Sequence, residues 1–491
     1  MTYIQVRNEA AAAAASDETF VRHVENIPYF PLLRVDPANE QTVIKVAQII
    51  TSYNNDVTTV NNTDIERDIQ GAKVTVITGG LTNALFKVDL PCNNSTANHC
   101  NATTTTSYTS VLVRIFGAEG LINRDEETTN FARLCNPKPN GGNKVINLVH
   151  TKLNLLGRFN NGRVETWIPE MRQAHYITDF IGSTEKHNDG ALVMEVARQL
   201  ARLHYGFDVK NVAVETSGGD DDIEKLRKQP TLWKVINSWI EELSQHLSNE
   251  KFQQQMTDDT TLIELFSFTA TNSSQPTEGK DIVQHIISSL TNELAWLKER
   301  VDSHHPNAPI VFCHNDVNAA NILLDTTSCG DDGRYDKDTV CIIDYEYGSI
   351  NYAMYDIANF TCEHCGGNDN GIPNYELLPS NVRLQKILVE YVNQRDEIRG
   401  ESILSSSQKK EVEISNLMSQ VKLFQMASNL YWGIWGCLQA ADEVTDGTFQ
   451  MDNDAMLRLE GKKDTTKWDN LRYGRNRLGR YYACKKEILA K

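Results

Sequence analysis

The stretch "VFCHNDVNAANILLDTT", Val311 to Thr327, decides how the rest of the chain is read. Val311 and Phe312 read as the end of a buried strand, and Ile322, Leu323 and Leu324 as a second one. Between them runs a polar loop carrying a His, an Asp and an Asn. Loops held between rigid strands are where catalytic side chains concentrate. The other reading is a plain polar turn whose Asn and Asp satisfy their own backbone. On this segment alone both stay open.

Working outward, "DTVCIIDYEY" resumes strand character and places Asp344 near a strand end, where a turn or cap residue is the ordinary reading. Taken together, Asp316, Asn321 five residues on, and Asp344 after a hairpin form a chemical set. Phosphoryl transfer needs a carboxylate to accept a hydroxyl proton, plus an amide oxygen and a second carboxylate to hold Mg²⁺. That ion prefers hard oxygen ligands and keeps waters, so few protein ligands suffice. Farther upstream, "GAKVTVITGGLTNALFKVDL" (Gly71 to Leu90) reads as two strands around a Gly-Gly turn. Its glycines free backbone N–H groups to approach phosphate oxygens, although a simple hairpin turn has the same appearance. A polar tract, Pro91 to Ser110, reads as a surface excursion, and "VLVRIFG" (Val111 to Gly117) as a third strand. Arg114 interrupts that apolar strand and needs a partner; Glu127, on the helix beginning at "RDEETTNFARL", is the natural candidate.

"GRVETWIP" (Gly162 to Pro169) is a short strand ending at a proline that could hinge two lobes. From there the pattern turns helical, as in Gly190 to His204 and the long apolar-periodic run Ser415 to Ala441. The expected fold class is α+β: a lead over 1–20 without fixed structure, a small β-rich N-terminal lobe over 21–168, and a larger, mainly helical C-terminal lobe over 169–491.

The chain has 491 residues and a net charge of −17, which argues against a nucleic-acid partner because no basic stripe is present. No window reads as a transmembrane helix, and the N-terminal segment "MTYIQVRNEAAAAAASDETF" does not read as a secretory signal. Several of the ten cysteines (Cys313, Cys341, Cys437) fall in apparent core elements, where a thiol behaves as a small hydrophobe. The lone "CEHC" at Cys362 to Cys365 has no second pair at zinc spacing. A cytoplasmic protein is expected.

"CHNDVNAANILL" followed by "IIDYEYGSINYAMYDIANFTCE" resembles the paired signature of the choline/ethanolamine kinases, a branch of the protein-kinase-like fold. "GGLTNALF", "VLVRIFG…RDEETTNF", "WIP" and "LYWGIWGCLQA" follow that family's order from roughly Asn26 to the C-terminus. The match thins near 91–110, 207–284 and 442–467, where the chain carries apparent insertions.

The resemblance implies roles residue by residue. Asp316 takes the place of the catalytic base, and Asn321 and Asp344 those of the Mg²⁺ ligands. Gly79, Gly80, Leu81, Thr82 and Asn83 take the place of the phosphate loop, and Arg114 that of a phosphate-contacting arginine. Thr166, Trp167 and Ile168, in the run to Arg172, resemble the interlobe strand against which adenine packs. Asn318 stands where a glutamine near the nucleotide is usual, and Asp356 resembles the aspartate that braces the catalytic loop from behind. The family's Asn-His-Phe after that aspartate reads Asn359-Phe360-Thr361 here.

A small ammonium-bearing alcohol is held by aromatic faces and carboxylates. Trp432 and Trp435 are three apart and share a helix face, which core packing would explain equally well. By resemblance they line the alkylammonium pocket with Tyr347 and Glu363, and Tyr473 and Tyr481 close it. The implied activity is ATP- and Mg²⁺-dependent phosphorylation of ethanolamine, with choline, or both, as the alternative acceptor. Dimers are common in that family.

Overall fold

The computed structural model describes residues 27–54, 71–77, 83–91, 108–117, 122–137, 148–181, 190–212, 225, 228–267, 279–326, 335–367, 370–401, 407–446 and 468–490. The expected lead, the glycine-rich turn at 79–82, and most of the tracts at 91–110 and 442–467 lie outside them. The chain divides into two compact units, the first ending at Met171 and the second starting at Arg172.

The first unit is built on a six-stranded sheet. In chain order its elements are β1 (Tyr29–Phe30), α1 (Glu40–Asn54), β2 (Lys73–Ile77), β3 (Asn83–Pro91), β4 (Tyr108–Phe116), α2 (Arg124–Cys135), β5 (Leu155–Phe159) and β6 (Gly162–Thr166). The strand order is β1-β5-β6-β4-β3-β2, antiparallel throughout except the short parallel β1–β5 edge. Alternation in β3 and β4 sends Val88, Val111 and Val113 to one face, against Val43, Ile44, Ala47 and Ile50 of α1. Strand β4 begins three residues before Val111, because Tyr108, Thr109 and Ser110 pair with Pro91, Leu90 and Asp89. Asn123 caps α2, its side chain accepting from the amides of Asp125 and Glu126, and the acidic first turn suits the helix dipole.

The second unit is mainly helical. After β7 (Met171–Gln173), which spans the boundary, come α3 (Ala191–Gly206), α4 (Leu232–Gln245), α5 (Glu250–Asp258), α6 (Thr260–Ser267) and α7 (Gly279–His304). Helices thus occupy much of the region between Phe207 and Gln284. Next come β8 (Ile310–Cys313), β9 (Ile322–Asp325), β10 (Val340–Ile342), β11 (Ser349–Tyr352), α8 (Ala353–Glu363), α9 (Asn381–Arg399), α10 (Ser407–Asp446) and α11 (Asn470–Leu489). Two small ribbons hold the opening stretch: β10-β9-β7 and the antiparallel pair β11-β8. The expected strand around Asp344 is shorter than its sequence suggests. Asp344 takes φ +64, a left-handed conformation that no strand can propagate.

Helix α8 packs on β8 and α10, and α11 runs along α10. The α10–α11 approach is set by glycines: a Cβ at Gly436 would lie 2.7 Å from the Cα of Gly474. Cys313, Cys341 and Cys437 are buried free thiols.

Candidate active site

Strands β8 and β9 end on either side of the loop His314–Asn318 and a single 3-10 turn, Ala319–Asn321. One buried carboxylate fixes the start of that loop. Asp356, on the first turn of α8, accepts from the backbone amides of His314 and Asn315, both at 2.7 Å, and from His204 Nε2 at 2.9 Å. His204 in turn accepts at Nδ1 from the Tyr391 hydroxyl, 2.7 Å away. Cys313, His204 and Asp356 lie close enough to suggest a metal. The Asp356 oxygens are, however, already taken by three N–H donors, and burial drives the Cys313 thiol far up, away from the thiolate a metal needs.

His314 carries the same restraint to the neighbouring strand end. Its Nε2 donates to the carbonyl of Ile343 at 2.8 Å, and its Nδ1 accepts from the Asp316 amide at 3.2 Å. Asn315, at φ +67, accepts from Asn351 and donates to the Tyr347 carbonyl and Ser349 Oγ. Non-glycine left-handed residues cost of order 1–3 kcal/mol each. Here Asn315 and Asp344 both hold that conformation, and at Asn315 the bonds to Asn351, Tyr347 and Ser349 keep it.

Asp316 is aimed by two amides. Asn318 Nδ2 donates to both of its carboxylate oxygens at 3.1 Å, and Asn321 Nδ2 donates to Oδ2 at 2.9 Å and to the Asp316 carbonyl at 3.0 Å. With its nitrogen thus committed, Asn321 has its Oδ1 left as a hard oxygen donor. Burial, followed by the charges of Glu363, Asp344 and Glu346, pushes the Asp316 carboxyl up to about 8, while the Asn318 bond opposes the rise. Several acids sharing one region favour a cation, and oxygen donors from Asn321 and Asp344 fit a hard divalent one.

An aromatic row borders the same acids. Tyr347 meets Trp432 edge-on at 5.3 Å, Trp432 meets Trp435 at 5.6 Å, and Trp435 meets Tyr473 at 6.2 Å. Trp432 Nε1 donates to Asn359 Oδ1 at 2.8 Å. The buried Tyr347 hydroxyl and Trp435 indole nitrogen lie near each other, and among the described residues neither has a hydrogen bond of good geometry. Glu363, at the end of α8, pairs with Arg477 of α11 at 3.1 Å; burial still raises its carboxyl, with Arg477 pulling the other way.

Tyr481 does not join this row. Its hydroxyl donates to Glu293 of α7 at 2.7 Å, because it lies two turns beyond Tyr473 along α11. The altered pair Phe360-Thr361 also points elsewhere. Phe360 packs on Phe180 and His364, and Thr361 accepts from Gln425.

In the first unit, Arg114 bridges to Glu165 of β6 at 3.1 Å and also acts on the expected Glu127 through its charge. Register explains it: Arg114 stands opposite Arg163, so Glu165, two residues along the same face of β6, bridges both arginines. Glu127 is held instead by Arg163 at 2.6 Å and Arg124 at 2.8 Å. Burial alone would raise both carboxyls, yet the arginines outweigh it and hold them below the ordinary range. Arg163 and Glu165 escaped the sequence reading although "GRVETW" placed both charges on one face, the same signal that marked Arg114. Thr166 Oγ1 is tied to the turn at Lys152 and Asn154, Lys87 lies over the Trp167 ring at 5.4 Å, and Ile168 and Asn83 are buried.

The family model described as choline/ethanolamine kinase matches residues 74–482. This chain belongs to the choline/ethanolamine kinase family. It is 23% identical over 432 residues to a probable choline kinase 3 of Arabidopsis thaliana, spanning 87% of this chain and 90% of that one. Over 201 residues it is 31% identical to a probable ethanolamine kinase of Nematostella vectensis, spanning 41% and 47%. Among solved structures, an ethanolamine kinase of Plasmodium vivax superposes with a TM-score of 0.56 at 18% identity over 91% of each chain. The fold is therefore that of the protein-kinase-like enzymes, with a sheet-built N-terminal part and a helical C-terminal part. As a kinase of the choline/ethanolamine kinase family, the chain uses ATP as co-substrate to phosphorylate a small alcohol. Among the described residues no helix is long and apolar enough to cross a membrane.

Proposed function

We propose that this member of the choline/ethanolamine kinase family phosphorylates ethanolamine, giving phosphoethanolamine and opening the CDP-ethanolamine route to phosphatidylethanolamine. The observation that carries this reading is the proximity of two unlike acids. Asp316 is raised first by burial and then by its acidic neighbours, and Glu363 heads the charges acting on it from the end of the aromatic row.

In the proposed step, a lone pair of the acceptor oxygen forms the bond to the γ-phosphorus as the bond to the β,γ-bridging oxygen breaks, leaving ADP. The hydroxyl proton passes to Asp316. A raised carboxyl suits that task, since a base works best with a pKa near the operating pH. Asn318 and Asn321 hold the carboxylate in one orientation, and Asp356 fixes the backbone beneath it. Asn321 Oδ1 and Asp344 would hold Mg²⁺, which when bound supplies charge neutralisation at the phosphates. The arginine network around Arg114 and Glu127, with Asn83 and residues 166–168, is proposed to serve the nucleotide, as is the turn at 79–82.

Tyr347, Trp432 and Trp435 supply faces for the ammonium group. Ethanolamine is favoured because a buried carboxylate rewards N–H donors that a trimethylammonium lacks. The test is steady-state kinetics with both alcohols at saturating ATP. Ethanolamine should give the higher kcat/KM; a clear preference for choline would reassign the acceptor, and turnover of neither would sink the reading.

A further inference from the structure

Arg477, on α11, is 1% exposed and bonded to more of the acceptor region than its partner carboxylate. Its Nη2 lies 3.1 Å from Glu363 Oε1 and donates to Ser428 Oγ at 3.3 Å. Ser428 Oγ donates to Asn359 Oδ1 at 2.9 Å, and that same oxygen accepts from the Trp432 indole. The guanidinium also lies over the Tyr473 ring at 5.5 Å, and Tyr473 meets Trp435 edge-on. One cation is thus tied to the carboxylate, to Trp432 through a chain of three hydrogen bonds, and to Trp435 through two ring contacts.

We propose that Arg477 is the positioning residue of the acceptor site, keeping Glu363 ionised and aimed and setting the Trp432 indole, and acting through them rather than on the acceptor. This rests on the acceptor reading given above. The guanidinium engages Oε1, so Oε2 is the oxygen left for an ammonium. A carboxyl at this depth without its counter-ion would keep its proton, and a neutral acid attracts no cation. Facing Glu363 are Arg477 and Tyr473 from α11, Asp316 from the catalytic loop, Tyr375 from the turn after α8, and Cys362 and Cys365 beside it, with Arg480 acting on those two thiols. Among the described residues, Arg477 is the cation that acts on the carboxylate itself.

The test is kinetics on the full chain with ethanolamine and with choline across about two pH units either side of neutral. Arg477→Met should raise the KM of both alcohols at neutral pH by roughly tenfold or more, about 1.4 kcal/mol. The excess over wild type should shrink as pH rises and Glu363 ionises. Because Glu363 also acts on Asp316, whose titration therefore shifts in the variant, kcat is recorded beside KM over the same range. The KM for ATP should not move. Arg477→Lys should recover most of the loss, because the charge remains, and Ser428→Ala should raise KM at every pH alike, because only the Trp432 tie is cut. An Arg477→Met KM equal to wild type, or raised equally at all pH values, overturns the proposal. So does an Arg477→Lys variant no better than Met. If circular dichroism shows Arg477→Met unfolded, a wild-type KM in Ser428→Ala overturns it. Wild-type protein that phosphorylates neither alcohol defeats the underlying functional reading instead.

Discussion

Two groups of buried acids in this protein behave in opposite ways. In the first unit, Glu127 and Glu165 are surrounded by Arg114, Arg124 and Arg163 and are held below the usual carboxyl range. In the second, Asp316 and Glu363 are raised, although Glu363 has an arginine of its own. Burial pushes all four upward, so burial does not separate them. What separates them is the number of cations at hand. Acids that outnumber their cations keep an open demand for a proton or a metal, and acids matched by arginines form framework. On the proposed reading, that difference marks where chemistry is done.

The largest effect that could break this contrast is on turnover. Asp316→Asn should lower kcat by roughly 10²–10⁴-fold, the usual worth of a positioned base, with an unchanged circular dichroism spectrum. A variant retaining near wild-type kcat would remove Asp316 from the reaction. Next comes stability. Glu165→Gln strips the shared partner from Arg114 and Arg163 and should cost about 3–5 kcal/mol in denaturant unfolding, as breaking a buried pair does. Asp316→Asn should be neutral or stabilising in the same assay, and a matching loss in both would erase the distinction.

A smaller effect concerns the ammonium faces. Trp435→Ala should raise the acceptor KM a few-fold to some tens-fold, since a cation–π face is worth about 0.5–2 kcal/mol, and leave the KM for ATP in place. If the Trp435→Ala variant folds and keeps its acceptor KM, the tryptophans belong to the core.

The finest probe is pH. Asp316 is raised in the folded chain, so the native state holds a proton that the unfolded chain releases at ordinary carboxyl pH. Its contribution therefore falls as pH rises from about 4 toward 8. The melting temperature of Asp316→Asn relative to wild type should climb across that window. The framework acids carry the other sign: their stabilisation is present above the ordinary carboxyl range and fades only as acid protonates them, so Glu165→Gln should cost least at the lowest pH. A flat difference for Asp316→Asn would mean that its carboxyl is not raised.

Much of this site was legible from side-chain order. The loop with Asp316 and Asn321, Asp344 at a strand end, and the shared face of Trp432 and Trp435 all follow from local spacing. The partner of Arg114 did not, because it depends on strand register: Glu165 reaches Arg114 only once β4 and β6 are aligned. The helix containing His204 was expected, but its bond to Asp356 joins residues 152 apart. No local pattern records such a pairing. Arg477 was hidden for a similar reason, in a C-terminal run whose tyrosines drew more notice.

The bare crossing of α10 and α11 has a consequence for how this pocket can change. At Gly436 and Gly474 main chain touches main chain, and a Cβ at either would strike backbone atoms at 2.7–2.8 Å that cannot rotate aside. The gauge of the gap is machined into the backbone, with no side-chain cushion to trim. Trp435 sits one residue before the first glycine and Tyr473 one before the second, so their separation inherits that fixed tolerance. On the proposed acceptor reading, variation in which alcohol is admitted comes from swapping the wall residues, since moving the walls themselves is closed off.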